Sequence, residues 1–339
     1  MRHDPEQLPL ELFSTCPQYA DGDHHAYVQQ VIDVARWSER WGCKGILVYS
    51  DNRQLDPWLV SHLILRHTEA LCPLVAVQPI YLHPYAVAKM IATFGHLYGR
   101  RIYLNMVAGG FKNDLTSLDD STPHDRRYDR LVEYTQIIRQ LVQGAAPVTA
   151  EGDFYTVRGL KLTPPLPRQL VPGIFVSGPS EAGWRAAQAL GATAVKYPKA
   201  PNEESKPGEG EGAGVRVGII AREDGEEAWT VARSRFPEDR RGQLTHQLAM
   251  KVSDSAWHRQ LSELARATAT GEHPYWLVPF ENYKTMCPYL VGSYERVGDE
   301  LARYLGLGYR SYILDIPPNE DELRHTSEAF QHALGRVAQ

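Results

Sequence analysis

The chain has 339 residues, 43% of them apolar and 23% charged, with a formal net charge of -5. That length and balance suit a globular protein carrying one large α/β domain or two smaller ones. A mildly acidic chain with no Lys/Arg cluster interleaved with aromatics is not a nucleic-acid binder, and no run nears the roughly 18 apolar residues that cross a bilayer.

The amino end is polar and lacks a signal-peptide core, so the cytoplasm is the expected location. Cys16, Cys43, Cys72 and Cys287 are widely spaced with no CxxC pair, which reads as buried thiols; neither a disulfide framework nor a metal site is expected.

Residues 10–16 read as a first strand. Residues 25–41 follow as a helix with Val28, Val31, Val34, Ala35 and Trp41 close to one face. Residues 46–49 are strand two, and the polar loop 50–56, carrying Arg53 and Gln54, leads through Pro57 into a helix. Strand three spans 74–77, a helix ending at Gly99 spans 85–98, and strand four spans 102–107, with Asn105 towards its end. The polar segment 109–123 exceeds the about two to six residues of an ordinary βα loop and is expected to be a site loop or lid. Thr122-Pro123-His124-Asp125 resembles a helix start with Thr122 as cap, and the helix continues to about 142. Residues 149–162 suggest a small hairpin.

Residues 174–182 (IFVSGPSEA) read as a buried strand entering a helix through a tight polar turn. Gly178 allows close backbone approach, and Pro179 suits the first helical position. The N–H groups from about Ser180 onward, with its hydroxyl, would seat a phosphate; the alternative is an ordinary strand-to-helix turn. Strand six is 194–197 and strand seven 215–221. Residues 198–214 between them, rich in Pro, Glu, Lys and Gly, are expected to form a flexible loop. A GxGxxA string at 208–213 is rejected as a dinucleotide site, since it opens no helix and places two carboxylates where a pyrophosphate would lie. Residues 225–270 are helical in pattern, giving a helical insertion near 236–290; a helix at 294–304, strand eight at 311–316 and a helix at 320–337 complete the chain. Eight strands alternating with helices point to a single-domain (β/α)8 TIM barrel over 1–339, with a doubly wound open sheet as the alternative.

Four strings in order, 100–110 (RRIYLNMVAGG), 124–128 (HDRRY), 175–180 (FVSGPS) and 290–293 (LVGS), together with His83-Pro84, resemble the bacterial luciferase-like flavin monooxygenases over nearly the whole chain. The alkanesulfonate monooxygenase branch looks nearest. The resemblance implies a barrel with FMN at the carboxyl ends of its strands, reduced flavin (FMNH2) from a separate NAD(P)H:flavin reductase, O2 and a small-molecule substrate. A homodimer or homotetramer is the expected assembly. Carried over by position, Ser177, Gly178 and Ser180 would hold the FMN phosphate. His124 and Tyr128, four apart on one helix face, would reach the same phosphate or the ribityl oxygens. Asn105 would bond the flavin edge, or else cap the strand end.

Sulfonate-cleaving relatives place a Cys where this chain has Gln54, an Arg-x-His where it has Arg216 and Gly218, and a Tyr-Pro-His where it has Pro317-Pro318-Asn319. One guanidinium therefore remains, and Arg216 and Asn105 are the candidate catalytic residues. Arg53, Gln54, Lys196 and Tyr197 fall at or after strand ends and suggest a substrate-binding, cationic site for an anionic substrate; the alternative for Arg53 and Lys196 is simple solvation. Carbon–sulfur cleavage and oxygenation at nitrogen or carbon are all compatible with the resemblance. An F420-dependent oxidoreductase and a catalytically silent flavin-binding homologue are the other readings.

Overall fold

In chain order the elements are β1 (Glu11–Thr15), α1 (His24–Arg40), β2 (Gly45–Val48), α2 (Pro57–His67), β3 (Cys72–Val77), α3 (Pro84–Tyr98), β4 (Tyr103–Val107), α4 (Lys112–Ser117) and α5 (His124–Gln143). Then follow β5 (Val148–Glu151), β6 (Thr156–Leu160), β7 (Ile174–Ser177), α6 (Glu181–Leu190), β8 (Thr193–Lys196), β9 (Ala213–Arg222) and α7 (Gly225–Arg235). The last are β10 (Tyr275–Trp276), α8 (Val278–Glu281), β11 (Tyr289–Ser293), α9 (Tyr294–Gly306), β12 (Ser311–Leu314) and α10 (Glu320–Val337). This computed structural model describes residues 10–20, 22–109, 112–178, 180–199, 205–206, 208–244, 273–282 and 284–337. The strands expected from the sequence are β1, β2, β3, β4, β7, β8, β9 and β12, and the fold is a (β/α)8 barrel. No helix of the described residues is long and apolar enough to cross a membrane.

The chain divides into two compact units. The first comprises residues 16–39 and 45–195. Here β2, β3, β4, β7 and β8 pair in parallel, with Leu74 opposite Tyr103, Asn105 opposite Phe175 and Ser177 opposite Val195. Strands β2 and β3 are buried along their whole length, the pattern of strands covered on both faces. Val87 and Ile91 of α3, Leu131 and Ile138 of α5, and Ala186 and Leu190 of α6 pack against Val75, Leu104 and Val176. Each fully buried large aliphatic contributes roughly 1.5–3 kcal/mol. The predicted hairpin is β5 with β6, antiparallel.

Segment 109–123 holds a short helix, α4, with Leu115 buried beneath it, so its described part is folded structure. Asn52 donates from its side chain to the Asp114 carbonyl at 3.2 Å, and Arg130 binds Asp120 at 2.6 Å in a buried ion pair. Thr122 does not cap α5: its hydroxyl donates to Asp120, and Pro123 occupies the cap.

The second unit comprises residues 1–15, 40–44 and 196–339. Its strands β1, β12, β9 and β11 pair in parallel, and β10 lies antiparallel on β11. The long β9 changes partner midway. Residues 214–217 pair with β12, and residues 218–222 with β11. The region expected as a helical insertion is therefore not wholly helical. Its described part includes β10, α8 and β11, while residues 245–272 lie outside the described residues. Of the predicted flexible loop, residues 200–204 and 207 also lie outside them. The described remainder is anchored: Glu209 pairs with Lys199 at 2.9 Å, and the Gly210 N–H reaches the Leu307 carbonyl at 2.9 Å.

Candidate functional site

In the first unit β7 delivers the chain to α6, and Ser180 caps the helix: its Oγ accepts the Gly183 N–H at 3.1 Å, and its carbonyl accepts that of Trp184. Pro179, expected as the first helical residue, lies outside the described residues, and α6 itself begins at Glu181. The N–H groups of Glu181 and Ala182 have no intrahelical acceptor and sit at the positive end of the helix dipole. Gly178 has φ +146°, and a Cβ there would lie 2.0 Å from the Tyr128 hydroxyl oxygen. Glycine at this place is what lets α5 approach the turn.

Tyr128 is 8% exposed. Burial raises its pKa, while the Ser180 side chain, through a hydrogen bond, and the Arg127 charge pull it down. His124 stands edge-on to Tyr128, with centroids 5.3 Å apart, and its Nδ1 lies 2.8 Å from an Asp125 carboxylate oxygen. The i, i+4 spacing thus brings both rings to one place. Ser177 donates to the Asn105 side-chain oxygen at 2.7 Å, so the buried Asn105 amide is fixed in orientation with its NH2 left as the donor.

Sequence reasoning missed Arg127. It is 6% exposed, and its Nε has no hydrogen-bond partner among the described residues. Its Nη1 reaches the Gly109 carbonyl at 3.4 Å, beyond the end of β4. Its place three residues after His124 on α5 was the available signal.

The second unit holds a separate polar group. Arg216 is buried, and the register sets it opposite Ile313 of β12. The Cys287 thiol is raised well above its ordinary pKa by burial and by the Asp315 charge, against the charge and hydrogen bond of Arg216. The Tyr289 hydroxyl donates to Asp315 Oδ2 at 2.7 Å. A Cβ on Gly218 would lie 2.3 Å from the Tyr289 ring, so the ring fills the space that a side chain at 218 would take. Asn319 accepts the Glu322 N–H at 3.0 Å and so braces the start of α10.

Two residues expected to meet substrate have other duties. The Tyr197 hydroxyl donates to the Met286 carbonyl and is buried, which makes it a core residue. Gln54 accepts the Tyr19 N–H at 2.9 Å, fastening its loop to the segment after β1. Arg53 is exposed on that loop. Lys196 is half-buried at the end of β8, and burial lowers its pKa, with Glu209 acting in the opposite sense.

A family model for luciferase-like monooxygenases matches residues 10–311. The chain is 37% identical over 309 residues to the 4-(γ-L-glutamylamino)butanoyl-[BtrI acyl-carrier protein] monooxygenase BtrO of Niallia circulans, covering 89% of this chain and 90% of that one. In fold it is similar to the EDTA monooxygenase EmoA of Chelativorans sp. BNC1, with TM-score 0.72, 16% identity, and 97% and 95% of the two chains covered. DmoA of Hyphomicrobium sulfonivorans gives TM-score 0.66 at 16% identity, with 98% and 90% covered. An F420-dependent secondary alcohol dehydrogenase shares the fold at TM-score 0.61 and 14% identity, with 96% and 99% covered. The family model and the 37% identical relative carry the family, the structural likenesses show the fold, and none of them singles out the alkanesulfonate branch.

Proposed function

The chain belongs to the luciferase-like monooxygenase family, and from that premise we propose that it is an FMNH2-dependent, two-component monooxygenase. A separate NAD(P)H:flavin reductase supplies the reduced flavin, one atom of O2 enters a small polar organic substrate bearing an anionic group, and the other leaves as water. The observation that carries this reading is the turn at Gly178: two N–H donors at a helix start, with the Ser180 side chain and the Tyr128 hydroxyl, which the missing Cβ of Gly178 admits, beside them, a set suited to one phosphate. On this reading the phosphate lies against residues 178–182, with Ser177 behind it, and His124 and Tyr128 reach the phosphate or ribityl oxygens. The Asn105 NH2 donates to the ring edge. Bound there, the reduced flavin supplies the oxygen-activating chemistry; the residues of the chain hold it, orient it and exclude water.

The relative's substrate, named as a γ-glutamylaminobutanoyl group on a carrier protein, guides the choice of substrate class: an amino-acid-bearing acyl group, with Arg216 as the cation that meets its carboxylate. A single barrel domain, assembly as a homodimer or homotetramer and a cytoplasmic location belong to the same proposal. The test is O2 uptake. Purified protein should leave NADH and NADPH untouched and should consume O2 productively only when photoreduced FMN and substrate are added. A protein isolated yellow with stoichiometric flavin and oxidising NADPH unaided would refute the two-component reading, and reduction of F420 without O2 would replace it with hydride transfer.

A further inference from the structure

The polar group of the second unit is organised by strand register. Side chains two apart along a strand share a face, so Arg216 and Gly218 of β9 lie on one face; Asp315 follows β12 by one residue, and Cys287, two residues ahead of β11, meets the Arg216 side chain through a hydrogen bond. Arg216 is opposite Ile313 and Gly218 opposite Tyr289. Continuing the β12 register by one residue brings Asp315 level with Gly218. The upper row is thus Asp315, Gly218, Tyr289, and the missing side chain in its middle is what lets the Tyr289 ring cross to Asp315 and donate at 2.7 Å. The lower row, roughly 7 Å below by strand rise, holds Arg216 and Cys287.

Tyr289 is 1% exposed, and burial raises its pKa well above the ordinary value, so it remains a proton donor to the carboxylate. Asp315 is half-buried just past the carboxyl end of β12, the end of the strands at which enzymes of this fold act. Among the described residues no Lys, Arg or His nitrogen comes within ion-pair distance of it; Arg235, whose guanidinium stands 5.7 Å from the Tyr289 ring centroid, donates Nη2 to the Ile316 carbonyl at 2.9 Å and turns Nη1 towards Glu322 at 3.9 Å. A half-buried carboxylate held by one donor stands ready for a cationic partner.

We propose that Asp315, oriented by Tyr289 across Gly218 and one row above Arg216, is a specificity-determining residue that binds a substrate ammonium, so that the enzyme takes a zwitterionic α-amino-acid head. The inference rests on the proposed function for the identity of the site. Asp315 meets the ammonium and Arg216 the carboxylate. Tyr289 is a positioning residue.

The probes are 4-(γ-L-glutamylamino)butanoate and its N-acetyl derivative, titrated by calorimetry. Wild-type protein should prefer the free amine by at least about tenfold, the scale of one charged hydrogen bond. Asp315→Asn should lose that preference while binding the N-acetyl probe within about twofold of wild type. Tyr289→Phe keeps the ring over Gly218 and should reduce the preference by a smaller factor; if the tyrosine were only structural, Tm would fall and the ratio would stay. Equal affinity for the two probes in wild type, an unchanged ratio in Asp315→Asn, or failure to bind either probe overturns the proposal. Reduced FMN titrated against the same preparations reads the flavin site independently.

Discussion

Gly178→Ala is expected to destabilise the protein by about 2–4 kcal/mol and to disable the phosphate seat. The backbone at φ +146° is one that L-residues rarely adopt, which costs on the order of 1–3 kcal/mol. The new Cβ would also lie 2.0 Å from the Tyr128 hydroxyl and 3.0 Å from its Cζ. Tyr128 is buried and must swing away, losing its bond with Ser180, worth about 1 kcal/mol. Urea unfolding reads the stability and titration with reduced FMN reads the seat, where an affinity loss of about tenfold or more is expected. Tyr128→Phe isolates the cause, because it removes the oxygen that makes the closest contact. In that background Gly178→Ala should cost about 1 kcal/mol less than in wild type. Additivity within about 0.5 kcal/mol would refute the claim that Tyr128 is what requires glycine at 178.

Ser180→Asp keeps a good helix cap, so stability should hold within about 0.5 kcal/mol, while a carboxylate against the phosphate lowers reduced-FMN affinity by about tenfold or more; an unchanged titration would move the seat elsewhere. Arg216→Met should raise KM and cut turnover at low substrate, and intact turnover there would exclude an anion clamp. Burial pushes the Asp120 carboxyl up, but hydrogen bonds from Arg130 and Thr122 outweigh it and hold its pKa below the usual carboxylate range. A lowered folded pKa gives stability that is fully present above the unfolded value of about 4 and is lost as pH falls through the folded one. Asp120→Asn should therefore flatten the acid limb of the stability profile, and parallel acid unfolding of variant and wild type would contradict this.

The parts of the fold that depend on neighbours in sequence were legible. Apolar runs such as 74–77 and 215–221 are strands, and Gly99 and Gly191 end their helices in left-handed conformation at φ 62° and 54°. Gly178 and Ser180 could be read as a seat because a helix cap is built within three residues, and His124 with Tyr128 because four residues return a helix to the same face. Tyr289 was not legible: its partner Asp315 is 26 residues away, and the contact exists only because Gly218 leaves a gap between them. Nor could the sequence show that the Tyr197 hydroxyl meets Met286, 89 residues on, or that the Gln54 amide meets Tyr19, 35 residues back. The sequence by itself determined the strands, the glycine-closed helix ends and the strand-to-helix turn at 178–180, all set by backbone propensity and hydrophobic period over a few residues. Only the tertiary structure decided which polar side chains remain open to a ligand. A hydrogen bond is won or lost within about 1 Å, and that distance is set by strand register and packing between segments far apart in the chain.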